Sequence, residues 1–150
     1  MNLEFKQQLH QHCIQSLDDK IIDIKNSLND IQNAANNDTK STAGDKHETS
    51  RAMAHLEIEK LTKQLNENIK LKETLIKIDI DNSDSIKTGS LIKTNKGYFY
   101  LAISLGKLSF KNFEIYAMSP ASPIGKLFLN KKEKETFSFN NTCYVIEQFF

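Results

Sequence analysis

Asp45 and Glu48 stand three residues apart in the polar stretch 36–48, Asn-Asn-Asp-Thr-Lys-Ser-Thr-Ala-Gly-Asp-Lys-His-Glu. If a helix begins near Asp45, that spacing places both carboxylates on one side of its first turn. Two readings of the pair are open. In one, Asp-x-x-Glu is a capping box, with Asp45 accepting from a backbone N–H and Glu48 reaching back to the cap. In the other, the pair carries negative charge to another molecule. The remaining reactive side chains form no comparable group. Cys13 and Cys143 read as belonging to different domains of a protein in a reducing compartment, not to a disulfide framework. His10 and His12, beside Cys13, are too closely spaced on one helix for a zinc site.

The elements that must position the acidic pair are legible on either side of it. Leu3, His10, Ile14, Leu17, Ile21, Ile24, Leu28, Ile31 and Ala35 recur in steps of three and four with one polar interruption at Gln7, and no Gly or Pro occurs before residue 44. This heptad seam predicts one helix of about 35 residues, roughly 50 Å long. After the polar stretch, Ala54, Ile58, Leu61, Leu65, Ile69 and Leu75 or Ile76 repeat the pattern. Each helix has one apolar stripe, and the join between them is rich in residues that bond their own backbone, with Gly44 free to turn. The two are therefore expected to pack antiparallel as a coiled coil over 1–78, with its tip near 36–48.

Asp79-Ile80-Asp81-Asn82-Ser83-Asp84-Ser85 has no helical period, and 79–86 reads as a linker. Beyond it the period becomes two. Ser90–Thr94, Gly97–Leu105, Lys107–Met118, Thr136–Phe139 and Thr142–Phe149 are rich in β-branched and aromatic residues, as strands are. Asn95-Lys96-Gly97 and Asn140-Asn141 supply turns. Ser122 is expected to cap a short helix starting at Pro123, with Leu127 and Phe128 turned to the sheet. The fold class is α+β: a long helical hairpin, then a small antiparallel sheet domain with one helix over 87–150. Phe99, Phe110, Phe113, Phe137, Phe139 and Tyr144 read as core of that sheet.

Composition narrows the functions. The 150 residues carry 20 Lys/Arg against 19 Asp/Glu, a net charge of +1, which argues against a free-standing nucleic-acid binder held by phosphate contacts. No run approaches the roughly 18 apolar residues of a membrane helix. The first eight residues lack the form of a signal peptide, so a cytoplasmic, soluble protein is expected.

The Gly44-Asp45-Lys46-His47-Glu48 tip, the acidic linker and the stretch Ser122-Pro123-Ile124-Gly125-Lys126 running on through Lys131 and Lys132 together resemble the Gre transcript-cleavage factors of bacterial RNA polymerase. The architecture matches over nearly the whole chain, and the residue matches lie in those two motifs. The resemblance implies a transcription elongation factor with an FKBP-like sheet domain docking at the rim of the polymerase's secondary channel, and a coiled coil entering that channel. It implies that Asp45 and Glu48 help to hold a catalytic Mg²⁺ beside the polymerase's own aspartates, so that the chain stimulates the polymerase's nuclease without being an enzyme itself. Two-metal phosphodiester hydrolysis needs such hard oxygen ligands. Two carboxylates alone bind Mg²⁺ poorly, so the metal site is expected only in the complex. For Lys40, Lys46 and Arg51 two readings stay open, contact with phosphates of the backtracked RNA 3′ segment or a plain solvated loop, and His47 reads as an exposed histidine with no role. Ser122, Pro123, Gly125, Lys126, Lys131 and Lys132 fall on the polymerase-facing motif, and Lys134 continues its basic run. A monomer is implied.

Family members commonly have Asn and an acidic-aromatic pair after the tip glutamate, where this chain has Thr49, Ser50, Arg51 and Ala52. They usually have turn glycines where this chain has Asn130 and Lys134. Three other functions compete: a channel-occupying regulator without cleavage, an FKBP-like prolyl isomerase or chaperone, and a plain coiled-coil adaptor.

Overall fold

Asn2 opens the first helix. Its side-chain oxygen accepts from the Phe5 N–H at 2.8 Å, and Glu4 lies in the first turn, where a negative charge suits the helix dipole. With no breaker to stop it, helix α1 runs 36 residues, Leu3–Asp38, and helix α2 follows over 33, Gly44–Ile76. The computed structural model describes residues 1–38 and 44–150, side chains at 38 and 44–47 excepted. Among the described residues no helix is long and apolar enough to cross a membrane.

The chain divides into two units, Ile14–Glu73 on one side and Met1–Cys13 with Thr74–Phe150 on the other. The first is a helical hairpin. Leu17 and Ile21 are buried, and Ile24, Leu28, Ile31, Ala35, Ala54, Ile58, Leu61 and Leu65 are half-buried, following the heptad. The Lys72 amine pairs with the Asp18 carboxylate across the two helices. With those residues opposed and only 39–43 between the helices, α1 and α2 run antiparallel.

On α2 the three-four stepping continues from Leu65 to Asn68 and Lys72, both half-buried, with Ile69 and Leu71 beside them. Polar groups in a seam lower stability but fix register. Asn68 donates to the Gln64 carbonyl of its own helix at 2.8 Å. Asn68→Leu is expected to stabilise the hairpin by about 1 kcal/mol, read as a higher urea midpoint in far-UV circular dichroism.

The second unit is built on a six-stranded sheet: β1 Leu91–Thr94, β2 Gly97–Leu101, β3 Gly106–Phe110, β4 Phe113–Met118, β5 Thr136–Phe139 and β6 Thr142–Phe149. The order across it is β3-β4-β2-β1-β6-β5. This corrects the expected antiparallel sheet, because β2 and β4 are parallel, with Tyr98 opposite Ile115 and Leu101 opposite Met118. The physical reason is a turn hidden in the run Lys107–Met118. Lys111 and Asn112 take φ of 47° and 66°, folding β3 back on β4 and bringing β4 to β2 in the same direction.

Alternation then gives the sheet two covered faces. Ile92, Phe99, Leu101 and Ile146 form one core with Ile86 and with Phe128 of helix α3, Pro123–Phe128. Tyr98 and Tyr100 point the other way. On that face Phe5 of α1 meets Phe113 and Phe110 edge-on at 5.5 and 5.3 Å. The sheet unit thus includes the first three turns of α1, and Cys13, expected with the hairpin, is buried here; both cysteines are free. Of the two α3 residues expected to face the sheet, only Phe128 does. Leu127 is 36% exposed, because adjacent helical residues point about 100° apart.

The segment read as a linker ends firmly. Ile86 is buried, its N–H donates to the Lys131 carbonyl at 2.8 Å, and its carbonyl accepts from Asn130 N–H at 2.8 Å.

Candidate functional site

The acidic pair lies in the first turns of α2, which begins at Gly44, one residue before Asp45. Glu48 is exposed, and Arg51 is exposed one turn further along the helix. The side chains of Asp45, Lys46 and His47 and the whole of Lys40 lie outside the described residues. Past Glu48, α2 carries two apolar residues in solvent, Met53 at 65% and Leu56 at 63% exposure. Further along, a shallow depression of about 550 Å³ is lined by Ile58, Thr62, Lys63, Asn66 and Glu67. It lies more than two turns past Glu48 and does not include the acidic pair.

Chemically, the pair offers hard oxygens of the kind Mg²⁺ takes, and few of them. Among the described residues no group of three His, Cys, Asp or Glu side chains is arranged to hold a metal ion. Mg²⁺ demands near-octahedral coordination by oxygens and keeps waters on its open positions, so two carboxylates are fewer ligands than the ion takes.

The second motif folds as a cap. Ser122 accepts from the Gly125 N–H at 3.0 Å and donates to the Ser119 carbonyl at 2.7 Å, with Pro123 in the first helical turn. Gly125 is buried at this corner. Ser122 and Gly125 are therefore engaged inward, while Pro123 and Lys126 face solvent. Beyond α3, Lys132 is exposed and Lys131 is partly covered, its amine 3.8 Å from Glu135. Asn130 and Lys134 hold φ of 63° and 69°, the left-handed region in which glycine is at ease. Ser122→Ala is expected to lower the stability of the sheet unit by about 1 kcal/mol, seen in thermal unfolding followed by tyrosine fluorescence.

Sequence reasoning missed a row of ionisable groups on the buried side of α1. Lys6 is fully buried, its amine 3.5 Å from the Asp81 carbonyl and near Asp79, and burial lowers its pKa. Asp79 in turn bonds Lys87 at 2.6 Å, which holds its carboxyl below the usual range. His10 is 8% exposed, with Nδ1 2.6 Å from the Tyr100 hydroxyl. Burial raises the Cys13 thiol to about 11, so it stays protonated and unreactive near neutrality. His10 was visible as a polar member of an apolar repeat. Lys6 left no signal, because a lysine next to an apolar repeat is usually solvated.

Comparison with protein-family models, with curated proteins and with solved structures returned no match for the chain.

Proposed function

We propose that this chain is a Gre-like factor that enters the secondary channel of bacterial RNA polymerase and stimulates cleavage of backtracked RNA. The observation that carries the reading is a helical hairpin bearing an Asp-x-x-Glu pair in the first turns of its second helix, with Glu48 in solvent. Support comes from the other end of the chain. The Ser-Pro-Ile-Gly-Lys stretch is a helix cap against a sheet, and Asn130 and Lys134 adopt the backbone angles that suit the turn glycines common in the family. On this reading the sheet unit is an FKBP-like docking module, with Lys126 and Lys132 turned outward to an acidic partner surface.

In this mechanism Asp45 and Glu48 lend carboxylate oxygens to Mg²⁺ beside the polymerase's own aspartates. The ion would supply activation of the attacking water and shielding of charge in the in-line displacement. The chain's own part is positional. The antiparallel pair of helices would present both acids beside the join between them, and a helical spacing of three would suit two oxygens meant for one ion. Arg51, one turn from Glu48, and Lys40 and Lys46 would meet phosphates of the displaced RNA 3′ segment.

The test is a cleavage assay on stalled polymerase complexes with the purified chain. Cleavage should rise above the polymerase's own rate and return to it with Asp45→Asn or Glu48→Gln, while both variants still bind polymerase. Equal cleavage by the parent and both variants would remove the carboxylates from the chemistry.

A second reading is favoured by the exposed Arg51, where family members commonly carry an acid. A basic group beside the pair weakens cation binding, and the chain would then occupy the channel and regulate without cleavage. Polymerase binding with no gain in cleavage is its signature.

A further inference from the structure

We infer that the first thirteen residues form an acid-released clasp on the sheet, with the His10–Tyr100 hydrogen bond as its trigger. This inference does not depend on the function proposed above. The clasp's buried face is Lys6, Leu9, His10 and Cys13, one turn after another along α1. His10 Nδ1 meets the Tyr100 hydroxyl at 2.6 Å, and its ring stands edge-on to the tyrosine at 6.3 Å. The cross-strand neighbours of Tyr100 are Leu91 on β1 and Ala117 on β4, both buried and apolar.

The groups that face His10 cannot absorb a positive charge. On α1 they are Lys6, four residues before it and buried with its amine 3.5 Å from the Asp81 carbonyl, and Cys13, three residues after it and held as a neutral thiol by burial. On β2 it is Tyr100, whose hydroxyl burial keeps protonated. Asp79 and Asp81 are engaged with Lys6. A protonated imidazole here would be buried away from water, with no carboxylate among the described residues bonded to it.

The direction of the effect follows. Burial lowers the His10 pKa below its ordinary 6.5, so below pH 6.5 the open segment binds a proton that the closed one refuses. Docking is at full strength above pH 6.5 and weakens as pH falls, by up to about tenfold in the opening equilibrium per pH unit. Asp79 does not compete in this window, because its carboxyl is held below the usual range and stays charged.

Hydrogen exchange on the intact protein at pH 7.5 and 5.0, corrected for intrinsic rates, tests this. Amides of 6–13 should lose protection at pH 5.0 by about tenfold, while those of β5 and β6 keep theirs. His10→Gln, which stays neutral, should abolish the pH dependence, and His12→Gln, at an exposed site, should leave it in place. Unchanged protection of 6–13 at pH 5.0, or the same loss in His10→Gln, would overturn the inference. Should His10→Gln not fold, NMR titration of the His10 imidazole in the natural chain decides: a midpoint below 6.5 coinciding with the loss of protection supports the clasp, and a midpoint at or above 6.5 refutes it.

Discussion

Phe128→Ala is expected to destabilise the sheet unit by about 3–5 kcal/mol. Helix α3 has only six residues and cannot hold itself together by backbone bonds. Its main anchor is the Phe128 ring, fully buried, 4.8 Å from the Phe137 ring, 5.2 Å from Phe99 and 6.5 Å from Tyr144, with Ile124 packed on the same core. Removing it leaves a cavity lined by three aromatic rings, which cannot close without shifting strands. Leu127→Ala, one residue away at 36% exposure, should change stability by less than about 1 kcal/mol. The chain has four tyrosines and no tryptophan, and Tyr98, Tyr100, Tyr116 and Tyr144 all lie in the sheet unit. Tyrosine fluorescence in urea therefore reads this unit, whereas far-UV circular dichroism is dominated by α1 and α2. Coincident loss of both signals at the same urea concentration in Phe128→Ala and the parent would contradict the expected effect.

Gly125→Ala is the second large effect, expected at about 2–4 kcal/mol. A methyl group at this position would lie 2.1 Å from the Ser119 carbonyl oxygen and 2.7 Å from the Ser122 hydroxyl. The first obstacle is backbone and cannot swing aside. The helix start must move, and with it goes the Ser122 cap on the Gly125 N–H. Close approach, not an unusual backbone angle, is what demands glycine here. Thermal unfolding followed by tyrosine fluorescence is the measurement, and a midpoint equal to the parent's would show that the 119–122 turn yields at no cost. The same substitution tests the functional reading at a distance: if α3 shapes the docking surface, Gly125→Ala lowers polymerase affinity although the residue itself is buried.

The sequence made the hairpin readable because one apolar stripe on each of two long breaker-free segments leaves few ways to bury both. It did not show where the stripe changes partner. Leu3, His10 and Ile14 lie on the same repeat as Leu17 and Ile21, yet residues up to Cys13 belong with the sheet and residues from Ile14 with the hairpin. A period of 3.6 records that a face is covered, not by what. The β3–β4 turn was hidden for a local reason: Lys111-Asn112 adopts angles usually marked by Asn-Gly, and a lysine at positive φ carries no composition signal. The parallel β2–β4 pairing followed from that missed turn, since a single long strand has no means of coming back alongside β2. At the candidate site, the Asp-x-x-Glu spacing was plain, and α2 begins at Gly44, beside Asp45, whose place near a helix start the sequence alone left as an assumption. The inward roles of Ser122 and Gly125 were only half readable, because a cap is a sequence pattern while a steric contact with Ser119 needs three-dimensional structure.

The sheet ends on β3 and β5, which are five and four residues long. Gly106 and Lys107 stand exposed on one, and the charged run Lys131–Glu135 leads into the other. Unfinished rows of amides invite another molecule's strand to continue the ladder, and short margins flanked by charge discourage it. A sample held at high concentration should accordingly stay clear of fibrils, since lateral stacking of copies would have to begin on the two poorest templates the sheet possesses.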